Sequence, residues 1–324
     1  AISYGAIMND IATQVPSTFL DKWNAWRYMA MLFNPTTHVR NIVGNAIFCP
    51  AVKVKDVIAV GLEHAFVSEE NRTKYIVIGK EYKDYARNDF ENIKQIITGG
   101  GKMNPSQGIA DNKRIFNTKW LESARKFNFD MLEAEDAKFL KAHYIRALGG
   151  YLQAQKVNIN NVDPKVLSKA RDYAILEAQK ATYRDASAIA TLISNFSRKN
   201  AVTNILVEGV IPFKKTPINI VKRGIEYSPI GLLKTLSLGT YDLVKGNITA
   251  AQYIDGIAGG LAGSAIVALG AALSSLGWVK GGFGDDEEDW FNKMLGMQEY
   301  SVEIGGFSYT IDWAAPACMP FFMG

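Results

Sequence analysis

Cysteine is nearly missing from the 324 residues: Cys49 and Cys318 stand far apart, with no metal-ligand or redox spacing. That excludes a disulfide scaffold and fits free buried thiols in a reducing compartment. Histidine is almost as scarce. His38, His64 and His143 each lack a second His, Cys or acid at ligand spacing on the same helix face, so no zinc motif is written here. Gly99-Gly100-Gly101-Lys102 lacks the first glycine of a phosphate loop, and Met103 stands where a magnesium-binding hydroxyl belongs. The acidic run Asp285 to Asp289 misses the alternating ligands and central glycine of a calcium loop and reads as a solvated turn. There is no Gly-x-Ser-x-Gly elbow and no Cys–His pairing. The expectation is therefore a non-enzyme with no catalytic residue, metal site or cofactor. A basic stretch followed by an apolar core is also missing from the start, AISYGAIMNDIATQVP, so no signal peptide is evident. The initial Ala1 and the apolar ending ACMPFFMG suggest a fragment or processed product of a longer chain.

One run of unusual composition is present. From Gly256 to Val279 there are 24 consecutive uncharged residues, enough for a helix to cross a bilayer core. Thr249 and Gln252 form a capping box that fixes the helix start. Small residues recur every four positions, Gly256, Gly260, Ser264, Ala268 and Ala272, and predict a smooth ridge for membrane contact or close helix packing. Two environments suit such a helix: lipid, or the middle of a helical bundle. The flanks favour lipid. From Arg198 to Lys234 seven basic residues, Arg198, Lys199, Lys214, Lys215, Lys222, Arg223 and Lys234, face two acids, net +5; from Thr235 onward three lysines face ten acids, net −7. A spanning helix would place its N-terminal side in the cytoplasm. The basic stretch reads as a basic surface for lipid headgroups, with non-specific DNA contact as a further partner.

The rest of the chain is helical in pattern. Ser17 to Phe33 predicts an amphipathic helix with a heavy aromatic face. Asn34-Pro35, Asp163-Pro164, Thr216-Pro217 and Ser228-Pro229 each place a capping side chain before a proline at the first helical position. The spacing predicts a helix from Pro35 to near Pro50, a second from Val52 to Val67, and another from Lys80 to Thr98. Beyond the loop come a short helix at Asn117 to Phe127, a longer one from Met131 to Val157, and one from Pro164 to Arg184, the last two forming an antiparallel pair. Short apolar helical pieces fill Ala186 to Lys234. Strict alternation from Tyr300 to Trp313 around Gly305-Gly306 predicts a β-hairpin that packs on helices. The fold class expected is mainly α, an elongated multi-helix bundle around a central Gly/Ala-rich apolar helix with one C-terminal β-hairpin. Its parts are a helical subdomain at 1–98, a flexible loop at 99–113, a helical subdomain with basic segments at 114–234, and the apolar helix, acidic turn and hairpin at 235–324.

RYMAMLFNPTTHVRNIVGN at Arg27 to Asn45, PFKKTPINIVKRGIEYSPIGLL at Pro212 to Leu233, and YSVEIGGFSYTIDWAAPACMPFFMG at Tyr300 to Gly324 resemble a domain of very large polyvalent proteins of bacteriophages, prophages and conjugative elements. The resemblance spans nearly the whole chain. It implies a phage-encoded internal virion or ejection-type protein, packaged in the particle and delivered to the host envelope or cytoplasm with the genome. Its partners would be membrane lipid, other helices of the same assembly and phage structural proteins, in an oligomer or a larger chain. The alternative is a soluble structural or assembly module of a particle; an enzyme with catalytic residues outside recognisable motifs ranks third.

Overall fold

A computed structural model describes residues 17, 19–98, 115–185, 215–282, 287–311 and 315–324. The chain is mainly α, with eleven α-helices among the described residues and one small antiparallel sheet. The helices are α1 (Phe19–Leu32), α2 (Pro35–Phe66), α3 (Lys80–Thr98), α4 (Lys119–Ala154), α5 (Pro164–Ala181), α6 (Lys215–Glu226), α7 (Pro229–Lys234), α8 (Thr240–Val244), α9 (Ala250–Ser275), α10 (Glu287–Met294) and α11 (Ala315–Phe322). The strands are β1 (Val279–Lys280), β2 (Ser301–Ile304) and β3 (Phe307–Thr310). The expected loop at 99–113 and the pieces from 186 to 214 lie outside the described residues.

Three of the four proline starts fold as the sequence predicts. Asn34 accepts from Thr36 N at 3.0 Å, Asp163 from Lys165 N at 2.9 Å, and Ser228 from Gly231 N at 3.3 Å, each ahead of a proline whose missing N–H costs nothing there. At the fourth, α6 already begins at Lys215, which places Pro217 inside its first turn. Two predicted breaks are absent. α2 runs through Pro50, whose residue is exposed, because Phe48 and Val52 on either side are buried in one cluster and hold the helical register. α4 is likewise continuous across Asn128, which is buried, and no glycine or proline interrupts it there.

α3, α4 and α5 form a three-helix core. Leu140, Tyr144, Leu148 and Leu152 of α4 are fully buried between Phe90 of α3 and Ala170, Ala174 and Ala178 of α5. The alanines let α5 approach closely, and the Tyr144 hydroxyl donates to Asp89 at 2.6 Å, which also accepts from Arg171. α4 and α5 are the expected packed pair. A second cluster joins Phe48 and Val52 of α2 to Ala181, Tyr183, Tyr227 and Ala262, so segments distant in sequence share one core. α9 packs on α2, α7 and α11. In α1 the buried side is Ala25 and Met29 against Phe116, while Phe19, Trp23, Trp26 and Phe33 are exposed.

The hairpin forms in the predicted register, Ile304 opposite Phe307, with Gly305 and Gly306 both at positive φ as a tight two-residue turn requires. Its surroundings differ from expectation in two ways. β1 adds a third strand through Val279 opposite Val302. The apolar face is also uncovered at the hairpin end: Ile304, Phe307 and Tyr309 are exposed, with only Val279 buried and Val302 half-buried on that face, whereas on the other face Ser301 is buried and Ser308 and Thr310 are half-buried. Hydroxyl bonds tie that inner face together, from Ser308 to Ser301 at 2.9 Å, Ser301 to Gln298 O at 2.7 Å and Thr310 to Glu299 O at 3.2 Å.

Candidate functional site

Two features stand out: a buried cluster of charges at the N-terminal end of α9, and the apolar surface that begins beyond it. Asp255 is the only charged residue of α9. Its carboxylate lies 2.8 Å from the Lys55 ammonium of α2 and 3.1 Å from that of Lys74. Glu177 of α5 is 3.3 Å from Lys55, 3.0 Å from Lys74 and 2.9 Å from Lys180. Asp56 is 3.4 Å from Lys74 and 3.0 Å from Arg146 of α4. Four helices and one loop meet here. The loop is set by Glu63, a fully buried carboxylate that accepts from Thr73 N at 2.8 Å, Thr73 Oγ1 at 2.6 Å and Lys74 N at 3.1 Å, and so aims Lys74 inward.

The charge states follow from the surroundings. Burial pushes Lys55 and Lys74 down, but the carboxylates of Asp255 and Glu177 outweigh it and hold both ammoniums well above their ordinary range. Burial raises Glu177, but Lys55, Lys74 and Lys180 together hold it well below the usual carboxylate range. Lysines locked in the charged form are not nucleophiles, and a carboxylate locked ionised gives no proton. Asp56, Glu177 and Asp255 bring oxygen atoms within 4.8 Å of one another, a donor set suited to a hard cation. Two ammonium groups already fill that space, so the residues fit an ion-pair clamp and not a metal centre. Removing one partner from such a clamp costs about 3–5 kcal/mol, because the remaining charge stays buried and unpaired. Beside it a cavity of about 30 Å³, room for about one water, is lined by Lys74, Tyr75, His143, Arg146, Tyr173 and Glu177. Burial holds the His143 pKa down to about 4.

The ridge residues divide into two groups. A methyl added at Gly260 would lie 2.6 Å from Leu232 Cα, and one at Gly256 would lie 2.9 Å from Thr235 Cγ2, so both pack against the α7 region. Ser264 is half-buried and bonds Gly260 O at 2.7 Å. Ala268 and Ala272 are exposed. Steps of four residues rotate 40° around a 3.6-residue helix, and the ridge drifts off the contact line. The line that stays in contact alternates steps of four and three: Gly256, Gly260, Gly263, then Gly270, where a methyl would overlap the Phe321 carbonyl. The opposite, C-terminal surface of α9 leaves Leu261, Ala265, Ala268, Leu269, Ala272 and Leu276 exposed.

The basic surface is reduced. Arg198, Lys199 and Lys214 lie outside the described residues, and nothing is described of the Lys215 side chain. Arg223 is buried, 2.6 Å from Asp185, and Lys222 is 3.0 Å from the same carboxylate, because a buried acid draws both cations inward. Lys234 is exposed. Of the histidines, His64 is exposed while His38 is buried with Nδ1 2.9 Å from Glu135 of α4, a pairing between helices that spacing within one helix does not reveal. Cys49 and Cys318 are both free, the first half-buried and the second buried. The clamp itself escaped sequence reasoning, yet it left a trace: a lone acid in an apolar helix and a Lys55-Asp56 pair inside apolar α2. No protein-family model, curated protein or solved structure matches the chain.

Proposed function

We propose that this chain is a non-enzymatic helical module that contacts membrane through the uncovered surface of α9, and that, as its resemblance to phage polyvalent proteins implies, it serves genome delivery as an internal virion or ejection-type domain. The observation that carries the membrane reading is a mismatch between composition and burial. α9 is long and apolar enough to cross a bilayer, but only 33% of its most apolar window is buried by the rest of the chain. A core helix of a water-soluble bundle would be mostly covered. The exposed large apolar residues are unevenly shared as well. From Lys80 to Asp185 they are Trp120, Phe127 and Leu176 among the described residues, whereas both the α1–α2 region and the elements from α6 to the C-terminus expose many. Such surface calls for lipid or protein.

The clamp at Asp255 favours contact in the plane of the membrane over spanning. Spanning would carry α2, α6 and α11 into hydrocarbon beside α9, or else tear Asp255 from two lysines. Flotation of the purified chain with vesicles, followed by an alkaline carbonate wash, tests this. The chain is expected to float and to be released by the wash. A chain that stays at the bottom as a folded species removes the reading in favour of the assembly module. That second reading is favoured by the glycine line of α9, which is already used inside this chain for helix packing.

A further inference from the structure

We infer that β1, α10 and the β2–β3 hairpin form an interfacial foot that rests on electrically neutral lipid headgroups; the inference builds on the membrane reading above and names the element and the lipid class. The hairpin end of the sheet is inside out. On one face Ser301 is buried and Ser308 and Thr310 are half-buried, while on the other Ile304, Phe307 and Tyr309 are exposed; that apolar face is covered only toward β1, where Val279 is buried and Val302 half-buried. In water the alternation runs the other way, with polar residues out. Apolar-out alternation belongs to strands that face hydrocarbon. The neighbouring pieces expose the same chemistry: Trp278 is 61% exposed, Trp290 64%, Phe291 57%, Met294 67% and Phe307 68%. Tryptophan and phenylalanine exposed on consecutive elements suit the headgroup boundary, where an aromatic ring is partly wet.

Charge selects the lipid. Within the foot the described cations are engaged, Lys280 with Glu303 at 3.5 Å and Lys293 with Glu299 at 3.3 Å. From Lys280 to the end two lysines face eight acids. A segment of that net charge is repelled by anionic headgroups within a Debye length, so apolar and aromatic burial must supply the binding. The hydroxyls of α8, α9 and the π-helical turn between α7 and α8 suit a poorly solvating surface too. Thr235 donates to Gly231 O, Ser237 to Leu233 O, Thr240 to Leu236 O and Ser264 to Gly260 O, so none of the four needs water.

The test is flotation of the full chain with phosphatidylcholine vesicles, with and without added phosphatidylserine. The double variant Trp290→Ser, Phe307→Ser changes only exposed side chains, and its melting temperature checks that it folds; Trp120→Ser, Phe127→Ser on α4 is the control pair. Partitioning is expected to fall about tenfold in the foot variant, to stay unchanged in the control, and to weaken as phosphatidylserine is added. If the intact chain floats and the foot variant floats equally well, the foot is wrong while the membrane reading stands. If the intact folded chain never floats, the membrane reading itself is lost. Stronger binding to anionic vesicles, or an oligomer in lipid-free buffer that the foot variant dissociates, overturns the inference in favour of a headgroup-attracting site or a protein interface.

Discussion

Two glycine-to-alanine changes in long helices should move stability in opposite directions. Gly61 lies inside α2 with nothing within 4 Å of where a methyl would go, and alanine is better than glycine in a helix interior by about 1 kcal/mol. Gly61→Ala should therefore stabilise by that amount. Gly263 of α9 has the same intrinsic preference but a different neighbour: a methyl there would overlap the Tyr227 carbonyl and lie 2.6 Å from Ser228 N. Those atoms are backbone, at the turn where the capped start of α7 fixes the chain, and a flexible side chain is not there to yield. Overpacking of this kind costs about 3 kcal/mol, which leaves a net loss of about 2 kcal/mol after the helical gain. For a chain of this size each kcal/mol moves the melting temperature by about 2 °C, so thermal melts followed by circular dichroism should show a rise of about 2 °C for Gly61→Ala and a fall of about 4 °C for Gly263→Ala. Equal shifts in the same direction would refute the argument that α9 is held against α7 by glycine contact.

Other outcomes follow from the clamp and the exposed surface. Asp255→Asn should destabilise by about 3 kcal/mol, since Lys55 and Lys74 lose a carboxylate in a buried site; a denaturant midpoint unchanged from the parent would contradict the clamp. His143 is held down to about 4 by burial, below its ordinary value of about 6.5, so the folded state binds fewer protons than the unfolded. Its contribution is fully present above about pH 6.5 and is lost as pH falls toward 4, by about 3 kcal/mol in total; His143→Phe should flatten that part of the stability profile in pH-stepped urea melts. Ala268→Arg sits on the exposed surface of α9 and should leave the fold intact while abolishing flotation, whereas a variant that still floats would place the lipid contact elsewhere.

Much of the fold was legible because helix ends are local chemistry. Asn34, Asp163, Ser228 and the Thr249–Gln252 capping box each satisfy amides a few residues away, and the Gly305-Gly306 turn needs no distant partner. What failed to read was set by packing at a distance. Proline at 50 suggested a helix end, and the burial of Phe48 and Val52 against Tyr183, Tyr227 and Ala262 keeps α2 helical through it. The alternation of the hairpin fixed which residues share a face but not which face is covered, because that depends on the loop before β2, whose Gln298 O takes the Ser301 hydroxyl and whose Tyr300 meets Phe322 of α11. The clamp is the extreme case: its acids come from α2, α5 and α9, its lysines from α2, α5 and the loop after α2, and no spacing in the sequence announces their meeting.

The clamp and the apolar surface explain one another through α9. Ile254, Ala258 and Ala262 commit the first half of the helix to α2, and Asp255 fixes its rotation and depth there, since sliding by one turn would strip a buried carboxylate of two ammoniums. Beyond Ala262 the helix continues for three more turns with its exposed side facing away from the protein, held on its other side along Gly263, Val267, Gly270 and Ala271. A helix anchored by charge at one end and uncovered at the other presents a fixed apolar edge in a fixed orientation. That arrangement leaves a contiguous apolar edge facing water, which a single scattered leucine would not. It becomes favourable where another phase covers the edge. On the proposed membrane reading, the clamp would bring α9 and the sheet that follows it to that phase together, as one surface.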